Sequence, residues 1–333
     1  MFLPYLEERG FRVITRSFIT RDFYTLYHKK GHLLQKVFGV LNGFVRKFFQ
    51  LYYLFSADFV LVQREVTPIG PPVFEWIYAR VFRKKMIYDF DDAIWIPQTS
   101  EANKIVNSLK CTWKIRYLIK WSHTVIAGNH FLYEYAAQYN KNVRLVPTCV
   151  DLKNRYHLRA DQEVAKITIG WTGSFSTMSY LDLIVPVLKK LEKEFEFTFF
   201  IMSNRAPEFS LKNQVYQEWS EEQEVLALRN CQIGIMPLTR DTWTLGKCGF
   251  KIIQYMALGI VPIADAWGAN KDIISNGEDG FLVENESAWE ASLRSLLENQ
   301  ALRKQLAERA VRKIEAKYSL EANLETFLQV FNG

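Results

Sequence analysis

Short apolar runs alternate with amphipathic stretches along nearly the whole chain. Apolar runs of this length bounded by turn residues are typical of buried strands. The predicted strands are Phe11–Ile14, 58–63, 84–90, 123–128 and 143–147 in the first half, and 166–171, 196–202, 232–237, 260–264 and 281–283 in the second. Helical spacing of apolar residues fills most of the intervals. This alternation predicts an α/β fold with doubly wound parallel sheets.

Two domains are expected, because a chain of 333 residues exceeds what a single core normally holds. Residues 152–165 are polar and unpatterned and are interpreted as the linker. We place the domains at 1–155 and 156–317, followed by a final helix over 318–333. The chain opens on a helix, whereas an α/β domain normally opens on a strand and a loop. The first strand of the N-terminal domain is therefore expected to be missing, with Met1 inside a longer reading frame.

The composition is that of a folded globular protein, with 49% hydrophobic and 23% charged residues, and it excludes a disordered chain. The four cysteines are Cys111, Cys149, Cys231 and Cys248. They form no CxxC pair and have no histidine at metal spacing, so neither a disulfide framework nor a zinc site is expected, and a reducing cytosol fits. The apolar run 37–62 is interrupted by charges and is not expected to span a membrane.

Positive charge is concentrated at the N-terminal end. Residues 1–55 hold nine Lys/Arg against three acids, an excess equal to the +6 of the whole sequence. Residues 31–56 are helical, basic and aromatic, which suggests a surface helix on an anionic membrane, with Lys36, Arg46 and Lys47 at the headgroups. The alternative is a core-packing helix with solvated lysines. The alternative is favoured, because the apolar residues do not form one clean face.

The stretch Gly246–Asn270 predicts an anion-binding αβ unit. A loop with Lys247 and Lys251 leads into an amphipathic helix that Gly259 ends, and the apolar run that follows is a buried strand. Cations beside a helix N-terminus favour the binding of an anion. An ordinary αβ unit with two solvated lysines explains the same pattern equally well.

A turn rich in small and hydroxyl residues follows the predicted strand 166–171. Gly173, Ser174 and Thr177 offer backbone N–H groups and hydroxyls to a phosphate. The turn contains neither GxGxxG nor a Walker sequence, so this signal is weak by itself.

The predicted strand 84–90 ends in a cluster of acids, Asp89, Asp91 and Asp92. Open α/β sheets bind ligands at the carboxyl ends of their strands. An Asp-x-Asp pair suits a metal clamp for a nucleotide diphosphate. It is more commonly a helix N-cap with loop acids.

Several segments together resemble the retaining glycosyltransferases of family 4, which have the two-domain GT-B fold. The matching segments are VRLVPTCVD, IGWTGSFST, QIGIMPL, GKCGFKIIQYMALGIVPIA, WGANKDIISNGEDGFLV, the Trp289 helix, LRKQLAERA and KYSLEAN. YDFDDAIW is similar to a first-domain motif of one branch. The segments span nearly the whole chain and are specific in combination.

The resemblance implies two Rossmann-like domains facing a cleft, with the sugar nucleotide held mainly by the second, the acceptor mainly by the first, and the last helix crossing back. It implies retaining transfer of a sugar from a nucleotide-sugar donor to a glycan or lipid-linked acceptor, in cell-surface polysaccharide synthesis and without a metal ion or other cofactor. The expected location is cytoplasmic, with peripheral contact at an anionic inner membrane face. No nucleic-acid partner is expected.

Donor-site residues follow from the same resemblance. The family's pair of glutamates falls on Gly246 and Gln254, so Lys247 and Lys251 are expected to hold the diphosphate and Gln254 the ribose. The turn Gly268-Ala269-Asn270 would approach the sugar or its phosphate.

The remaining expected roles fall on the two other loops. GSFST replaces the family's usual Arg and Lys after the first strand of the second domain, so Gly173, Ser174 and Thr177 would supply N–H and hydroxyl donors. Asp91 or Asp92 would orient the acceptor hydroxyl or the sugar and act as the catalytic residues. The family's early Gly-rich loop is absent from this sequence.

Three alternatives stay open. The first is a metal-dependent GT-A transferase that uses Asp89 and Asp91, which the two-domain alternation disfavours. The second is an NDP-sugar epimerase or hydrolase on the same fold. The third is a non-catalytic sugar-nucleotide-binding protein.

Overall fold

The computed structural model describes residues 2–20, 23, 31–97 and 109–331. The chain divides into two compact units. The N-terminal unit is Phe2–Val146 together with the residues from Thr326 onward, and the C-terminal unit is Pro147–Glu325. Each unit is an α/β structure built on a parallel sheet, which confirms the predicted fold class.

The N-terminal unit contains a four-stranded parallel sheet in the order β1-β2-β3-β4. Its strands are β1 (Phe59–Gln63), β2 (Lys85–Phe90), β3 (Thr124–Ala127) and β4 (Val143–Leu145). Its helices are α1 (Leu3–Glu8), α2 (Leu33–Gln50), α3 (Val73–Trp76), α4 (Ile115–Trp121) and α5 (His130–Ala137). A 3-10 turn (Leu51–Phe55) extends α2, a π-helical turn (Ile77–Val81) extends α3, and a 3-10 turn (Thr112–Lys114) precedes α4. The central strand β3 is buried at every position, as expected for a sheet covered on both faces.

The segment Phe11–Ile14 was predicted as a strand, and this prediction is wrong. Residues 11–17 have no regular structure. The ring of Phe11 instead packs against that of Phe331, with the centroids 5.3 Å apart, so a tertiary contact and not a sheet partner holds the segment. The sequence also predicts helices over 100–121. Residues 100–108 lie outside the described residues, and 109–121 include α4 and the 3-10 turn before it.

Helix α2 presents its apolar side to solvent. Seven of its large apolar side chains are more than half exposed: Leu34, Val37, Phe38, Leu41, Val45, Phe48 and Phe49. Lys47 lies on the opposite side, is only 7% exposed, and donates from Nζ to the carbonyl of Arg16 at 2.8 Å. The expectation that α2 lacks one clean apolar face is therefore wrong, and so is the placement of Lys47 at lipid headgroups.

The C-terminal unit contains a six-stranded parallel sheet in the order β10-β9-β8-β5-β6-β7. Its strands are β5 (Ile167–Thr172), β6 (Phe197–Ser203), β7 (Gln214–Glu218), β8 (Ile233–Met236), β9 (Val261–Asp265) and β10 (Phe281–Val283). The helices up to β9 are α6 (Phe175–Met178), α7 (Val185–Leu191), α8 (Glu221–Leu228), α9 (Thr242–Leu245) and α10 (Phe250–Ala257), and a 3-10 turn (Ser179–Leu183) precedes α7. The later helices are α11 (Asn270–Ile273), α12 (Glu286–Glu298), α13 (Gln300–Lys317) and α14 (Leu320–Leu328), and a 3-10 turn (Gln329–Phe331) follows α14. Both β8 and β9 are buried at every position, so the core lies on both faces of the sheet's centre.

Strand β7 has no counterpart among the predicted strands. It pairs in parallel with β6 at the edge of the sheet, and none of its five residues is fully buried. A half-exposed edge strand has no continuous apolar run, which is the feature that predicts a buried strand.

The segment 152–165 belongs to the C-terminal unit. Within it Gln162 is buried and donates to the carbonyl of Gly259 at 2.8 Å. Helix α14 starts in the C-terminal unit, and its last residues from Thr326 belong to the N-terminal unit.

Candidate functional site

The strand order of the C-terminal unit reverses beside β5. From β5 the chain continues to β6 and β7 on one side, and then returns to β8 on the other. In an open parallel sheet such a switch point leaves a crevice at the carboxyl ends of the two strands, and ligands bind there. Strand β5 ends at Thr172, and the loop that follows begins with Gly173 and Ser174.

Lys251, in the first turn of α10, reaches this loop. Its ammonium lies 4.4 Å from the centroid of the Trp171 ring, which is a cation–π contact. A Cβ added to Gly173 would lie 2.6 Å from the Lys251 nitrogen and 2.6 Å from the Trp171 ring. Only glycine therefore leaves room for the ammonium at the end of β5.

The charge of Lys251 is poorly compensated. Burial lowers its pKa to about 7, and the positive charge of Lys247 lowers it in addition. Among the described residues, no carboxylate forms a salt bridge with Lys251. The Lys247 ammonium lies 5.3 Å from the centroid of the Trp243 ring. A partly buried cation beside a second cation is a site that an anion would stabilise.

Helix α10 begins at a glycine that no other residue could replace without strain. Gly249 has φ 65°, and a Cβ added to it would collide with the side chain of Ile273 in α11. The close approach of α10 to α11 fixes the first turn of α10, which carries Lys251. The predicted end of this helix is confirmed, because Gly259 follows the C-cap with φ 70°.

The hydroxyls of Ser174 and of the first residues of α6 are bonded among themselves or to nearby backbone. The oxygens of Ser174 and Ser176 lie 2.8 Å apart, and Thr177 Oγ1 donates to the carbonyl of Ser174 at 3.0 Å. The N–H of Phe175 donates to Asn204 Oδ1 at 2.7 Å. Ser174 is exposed and Thr177 half-buried, so a ligand in the crevice could accept from these hydroxyls in place of their present partners.

Two predicted donor contacts fall on buried side chains. Gln254 is 2% exposed and its Nε2 donates to the hydroxyl of Tyr156 at 2.7 Å. Asn270 is 1% exposed and its Nδ2 donates to the carbonyl of Asp265 at 2.9 Å. Their contacts with a ligand stay predictions. In this conformation both side-chain amides donate to groups of the protein itself.

The turn at Gly268 lies against the segment that leads to Lys247. Gly268 has φ 51°, and a Cβ added to it would lie 3.3 Å from the Cα of Leu245, the last residue of α9. Gly246 follows directly and is buried. The structure thus brings Gly268 close to Leu245 and brings Lys251 close to Gly173, all within the C-terminal unit.

The predicted acids of the N-terminal unit are clamped by an arginine that sequence reasoning missed. Arg64, directly after β1, donates from Nε to Asp91 Oδ1 at 2.6 Å and from one terminal nitrogen to Asp92 Oδ2 at 2.7 Å. The same nitrogen also donates to the second oxygen of Asp91 at 3.0 Å. Arg64 has φ 59°, and a non-glycine residue in this region often marks a functional site. Its position at the end of the neighbouring parallel strand is the signal that could have identified it.

Asp89 differs from its two neighbours. Burial raises its pKa to about 7, the charge of Asp91 raises it in addition, and Arg64 opposes both. Asp89 is therefore only partly ionised near neutral pH, beside two carboxylates that Arg64 holds. Both oxygens of Asp91 accept from Arg64, so a metal ion on Asp91 would compete with this guanidinium. In the part of the chain that the structure describes, no group of three or more His, Cys, Asp or Glu side chains is placed to hold a metal ion.

Residues 165–313 match the family described as Glycosyl transferases group 1. The matched segment lies inside the C-terminal unit and includes β5, the loop after it and both lysines. No curated protein sequence matches the chain.

Solved glycosyltransferase structures resemble both units. Sucrose-phosphate synthase from Thermosynechococcus elongatus is 14% identical, with a TM-score of 0.67 over 90% of this chain and 79% of that chain. The Anabaena protein HepE, crystallised with UDP and glucose, is 13% identical, with a TM-score of 0.65 over 100% of this chain and 89% of its own. A glycosyltransferase from Rickettsia africae is 14% identical, with a TM-score of 0.64 over 99% and 86%. With its two parallel-sheet α/β units, the chain has the GT-B fold of these proteins.

No described helix combines the length and the apolar character that crossing a bilayer requires.

Proposed function

We propose that this chain is a glycosyltransferase that moves a sugar from a nucleotide-sugar donor to a glycan or lipid-linked acceptor, with retention of configuration. The observation that carries the proposal is the Lys251 ammonium, which lies against Trp171 and the Gly173 loop without a carboxylate partner among the described residues. This site lies within the segment that matches group 1 glycosyltransferases. A protein of similar fold, HepE, was crystallised with UDP and glucose.

The two lysines would act on the leaving group. Cleavage of the bond between the sugar and the diphosphate leaves negative charge on phosphate oxygens while an oxocarbenium-like centre forms on the sugar. Lys251 and Lys247 would hold that charge, and no metal ion takes part in the proposed reaction. A charge-assisted hydrogen bond contributes about 1.5–3 kcal/mol, so the loss of one lysine weakens donor binding by about 10- to 100-fold.

Neighbouring groups would orient the rest of the donor. Gly173 lets the Lys251 ammonium lie against the chain at the end of β5, and Ser174 and Thr177 would donate to a phosphate there from hydroxyl or N–H groups. Gln254 would bind the ribose after exchanging its hydrogen bond with Tyr156. The turn from Gly268 to Asn270 would approach the sugar or its phosphate.

The acceptor role is assigned to the clamped acids of the N-terminal unit. Asp91 is half-exposed, with 42% of its side chain accessible, whereas the side chain of Asp92 is 20% accessible. Either carboxylate would accept a hydrogen bond from the acceptor hydroxyl and so orient its oxygen toward the sugar. Arg64 would keep both carboxylates in a fixed position.

The proposed setting is cell-surface polysaccharide synthesis in the cytoplasm, at the inner face of the plasma membrane. The basic and aromatic sequence of residues 31–56 supports a membrane location, because such segments bind to anionic bilayer surfaces. A lipid-linked acceptor would be available at the same surface.

Titration of the purified protein with a panel of nucleotide sugars, followed by calorimetry, tests the donor site. The Lys251→Ala variant should bind the selected donor about 10- to 100-fold more weakly than the wild type. The matched control is Lys193→Ala, an exposed lysine of the same unit, which should bind the donor normally. Unchanged donor affinity in Lys251→Ala would refute the assignment.

Product analysis distinguishes the alternatives. Wild-type protein should release the nucleoside diphosphate and transfer the sugar with its anomeric configuration retained. An altered sugar still attached to the nucleotide would identify an epimerase, free sugar a hydrolase, and donor binding without turnover a binding protein. Dependence of the transfer on added manganese would support the alternative hypothesis of a metal-dependent transferase that uses Asp89 and Asp91.

A further inference from the structure

The outer side of α2 and the turn after it forms one continuous apolar surface. Its members lie on one side of the helix and are between 54% and 85% exposed: Leu34, Phe38, Leu41, Val45, Phe48, Phe49, Tyr52 and Phe55. We refer to these eight side chains as the aromatic face. A soluble protein normally buries such a stripe, and exposed apolar surface of this extent marks an interaction site.

Packing on the inner side fixes this orientation of α2. The rings of Phe44 and Phe18 make an edge contact at 5.2 Å, and the ring of Phe18 lies where a Cβ of Gly43 would be. Phe44 also stacks on Phe74 of α3 at 6.3 Å. Because Gly43 admits the Phe18 ring and Lys47 is bonded inside, a rotation of α2 that buried the aromatic face would break all of these contacts.

Helix α3, which packs against the inner side of α2, carries a second aromatic surface. Phe74 of α3 contacts α2, while the neighbouring Val73 and Trp76 line a groove with residues of the α4 region. The groove is lined by Pro71, Pro72, Val73, Trp76, Trp113, Tyr117 and Trp121, with apolar surface only. Val73, Trp76 and Trp113 are each about half exposed, at 50%, 47% and 49%. We refer to this set as the tryptophan groove.

The segments that build both surfaces, 31–56, 71–85 and 109–121, carry cations and no exposed acid. Residues 31–56 and 109–121 contain no Asp or Glu. Lys110, Arg116 and Lys120 are exposed beside the tryptophan groove, and the Arg116 guanidinium lies over the Tyr117 ring at 4.9 Å. Glu75 is the one acid of the segment 71–85, and it is fully buried.

We propose that the aromatic face and the tryptophan groove form one surface by which the N-terminal unit docks on an anionic lipid bilayer. Phenylalanine and leucine side chains enter the boundary between headgroups and acyl chains, tryptophan and tyrosine rings remain at the headgroup level, and lysine and arginine side chains bind lipid phosphates. The surface lies on the bilayer and does not cross it.

The uniform charge favours a bilayer over a second copy of this chain. Two identical copies that joined these surfaces would bring the same cations together, whereas an anionic bilayer complements them. The proposal concerns binding to lipid alone and does not rest on the proposed transfer reaction, so a lipid assay without any donor tests it separately.

Sedimentation with phosphatidylglycerol-containing vesicles tests the aromatic face. Wild-type protein should sediment with these vesicles, and Phe48→Gln/Phe49→Gln should reduce the partition coefficient about tenfold or more, since two exposed rings no longer enter the bilayer. The matched control is Val215→Gln/Leu226→Gln, which changes two half-exposed apolar residues of the C-terminal unit and should leave vesicle binding unchanged. Unfolding curves of both variants should match that of the wild type, because all four side chains are exposed.

Charge substitution tests the choice of lipid. Arg116→Gln/Lys120→Gln should weaken binding to the anionic vesicles by about fivefold for each cation removed, and pure phosphatidylcholine vesicles should bind the wild type much less. Failure of the wild type to bind anionic vesicles would overturn the proposal. A wild type that is dimeric in light scattering and becomes monomeric in Phe48→Gln/Phe49→Gln would also overturn it, in favour of self-association.

Discussion

Lys251 is a cation whose surroundings disfavour its own charge. Desolvation and Lys247 lower its pKa from the usual 10.5 to about 7. The Trp171 ring and the Gly173 loop leave the ammonium in place but supply no negative charge. The free protein therefore loses stability at this position, and a bound phosphate would recover it. Strain of this kind is common where a ligand completes the site.

The pH dependence of stability should reveal this lysine. Between pH 7 and 10.5 the unfolded chain still binds the proton that folded Lys251 has lost, so the free energy of unfolding rises with pH. Below pH 7 both states hold the proton, and the cost is fully present. In urea unfolding, the stability of the wild type relative to Lys251→Met should therefore increase from pH 7 to pH 10. A difference that stays constant over this range would contradict the lowered pKa.

Donor binding should reverse the lowered pKa of Lys251 and so change the number of protons that the protein binds. A diphosphate beside Lys251 raises its pKa again, so binding at pH 8 should take up a proton in the wild type and not in Lys251→Met. Calorimetry in buffers of different ionisation enthalpy measures the uptake.

At the scale of elements, the last helix ends in an aromatic cluster of the N-terminal unit. Phe327 of α14 stacks on Phe2 with the centroids 4.3 Å apart. The ring centroid of Phe331 lies 5.3 Å from that of Phe11 and 5.5 Å from that of Phe59. These contacts join the end of the chain to its beginning and to strand β1.

Truncation of this cluster should destabilise the protein. Phe327 is 5% exposed, and the loss of a buried phenylalanine costs about 3–5 kcal/mol. Phe327→Ala should lower the free energy of unfolding by about 3 kcal/mol, measured by urea denaturation. Gln329→Ala, an exposed neighbour, is the control and should change it by less than about 0.5 kcal/mol. Equal effects of the two substitutions would show that the aromatic contacts contribute little.

For the whole molecule, the candidate chemistry is divided between two separately packed units. The lysine site belongs to the C-terminal unit, whereas the clamped acids and the proposed lipid surface belong to the N-terminal unit. A ligand that binds only one site stabilises most strongly, against local unfolding, the segments that contact it.

Hydrogen exchange with and without a bound donor tests this division. Peptides that cover residues 171–177 and 247–251 should show the largest slowing of amide exchange. Peptides from β1 and β2 should change less, because the donor contacts are assigned to the C-terminal unit. Strongest protection in the N-terminal unit would place the donor elsewhere.

Much of this architecture follows from local sequence. Apolar runs identify the buried strands, and Gly259 ends α10 because its left-handed backbone suits glycine. Strand β7 is not predicted, because this edge strand has no fully buried residue and no continuous run of apolar residues. The segment Phe11–Ile14 is misassigned, because a short apolar run has the same pattern whether it finds a sheet partner or a packing partner such as Phe331.

The candidate site divides in the same way. The sequence by itself determines two lysines near the start of a helix, a glycine after a strand and a row of acids after another. Only Lys247 lies in the loop before that helix, as predicted for both, because α10 begins at Phe250 and includes Lys251. The tertiary structure decides that Lys251 meets Trp171 and Gly173, that Arg64 holds Asp91 and Asp92, and that α2 faces outward. The physical reason is that pattern and propensity act over a few residues, whereas charge compensation and burial depend on segments that only folding brings together.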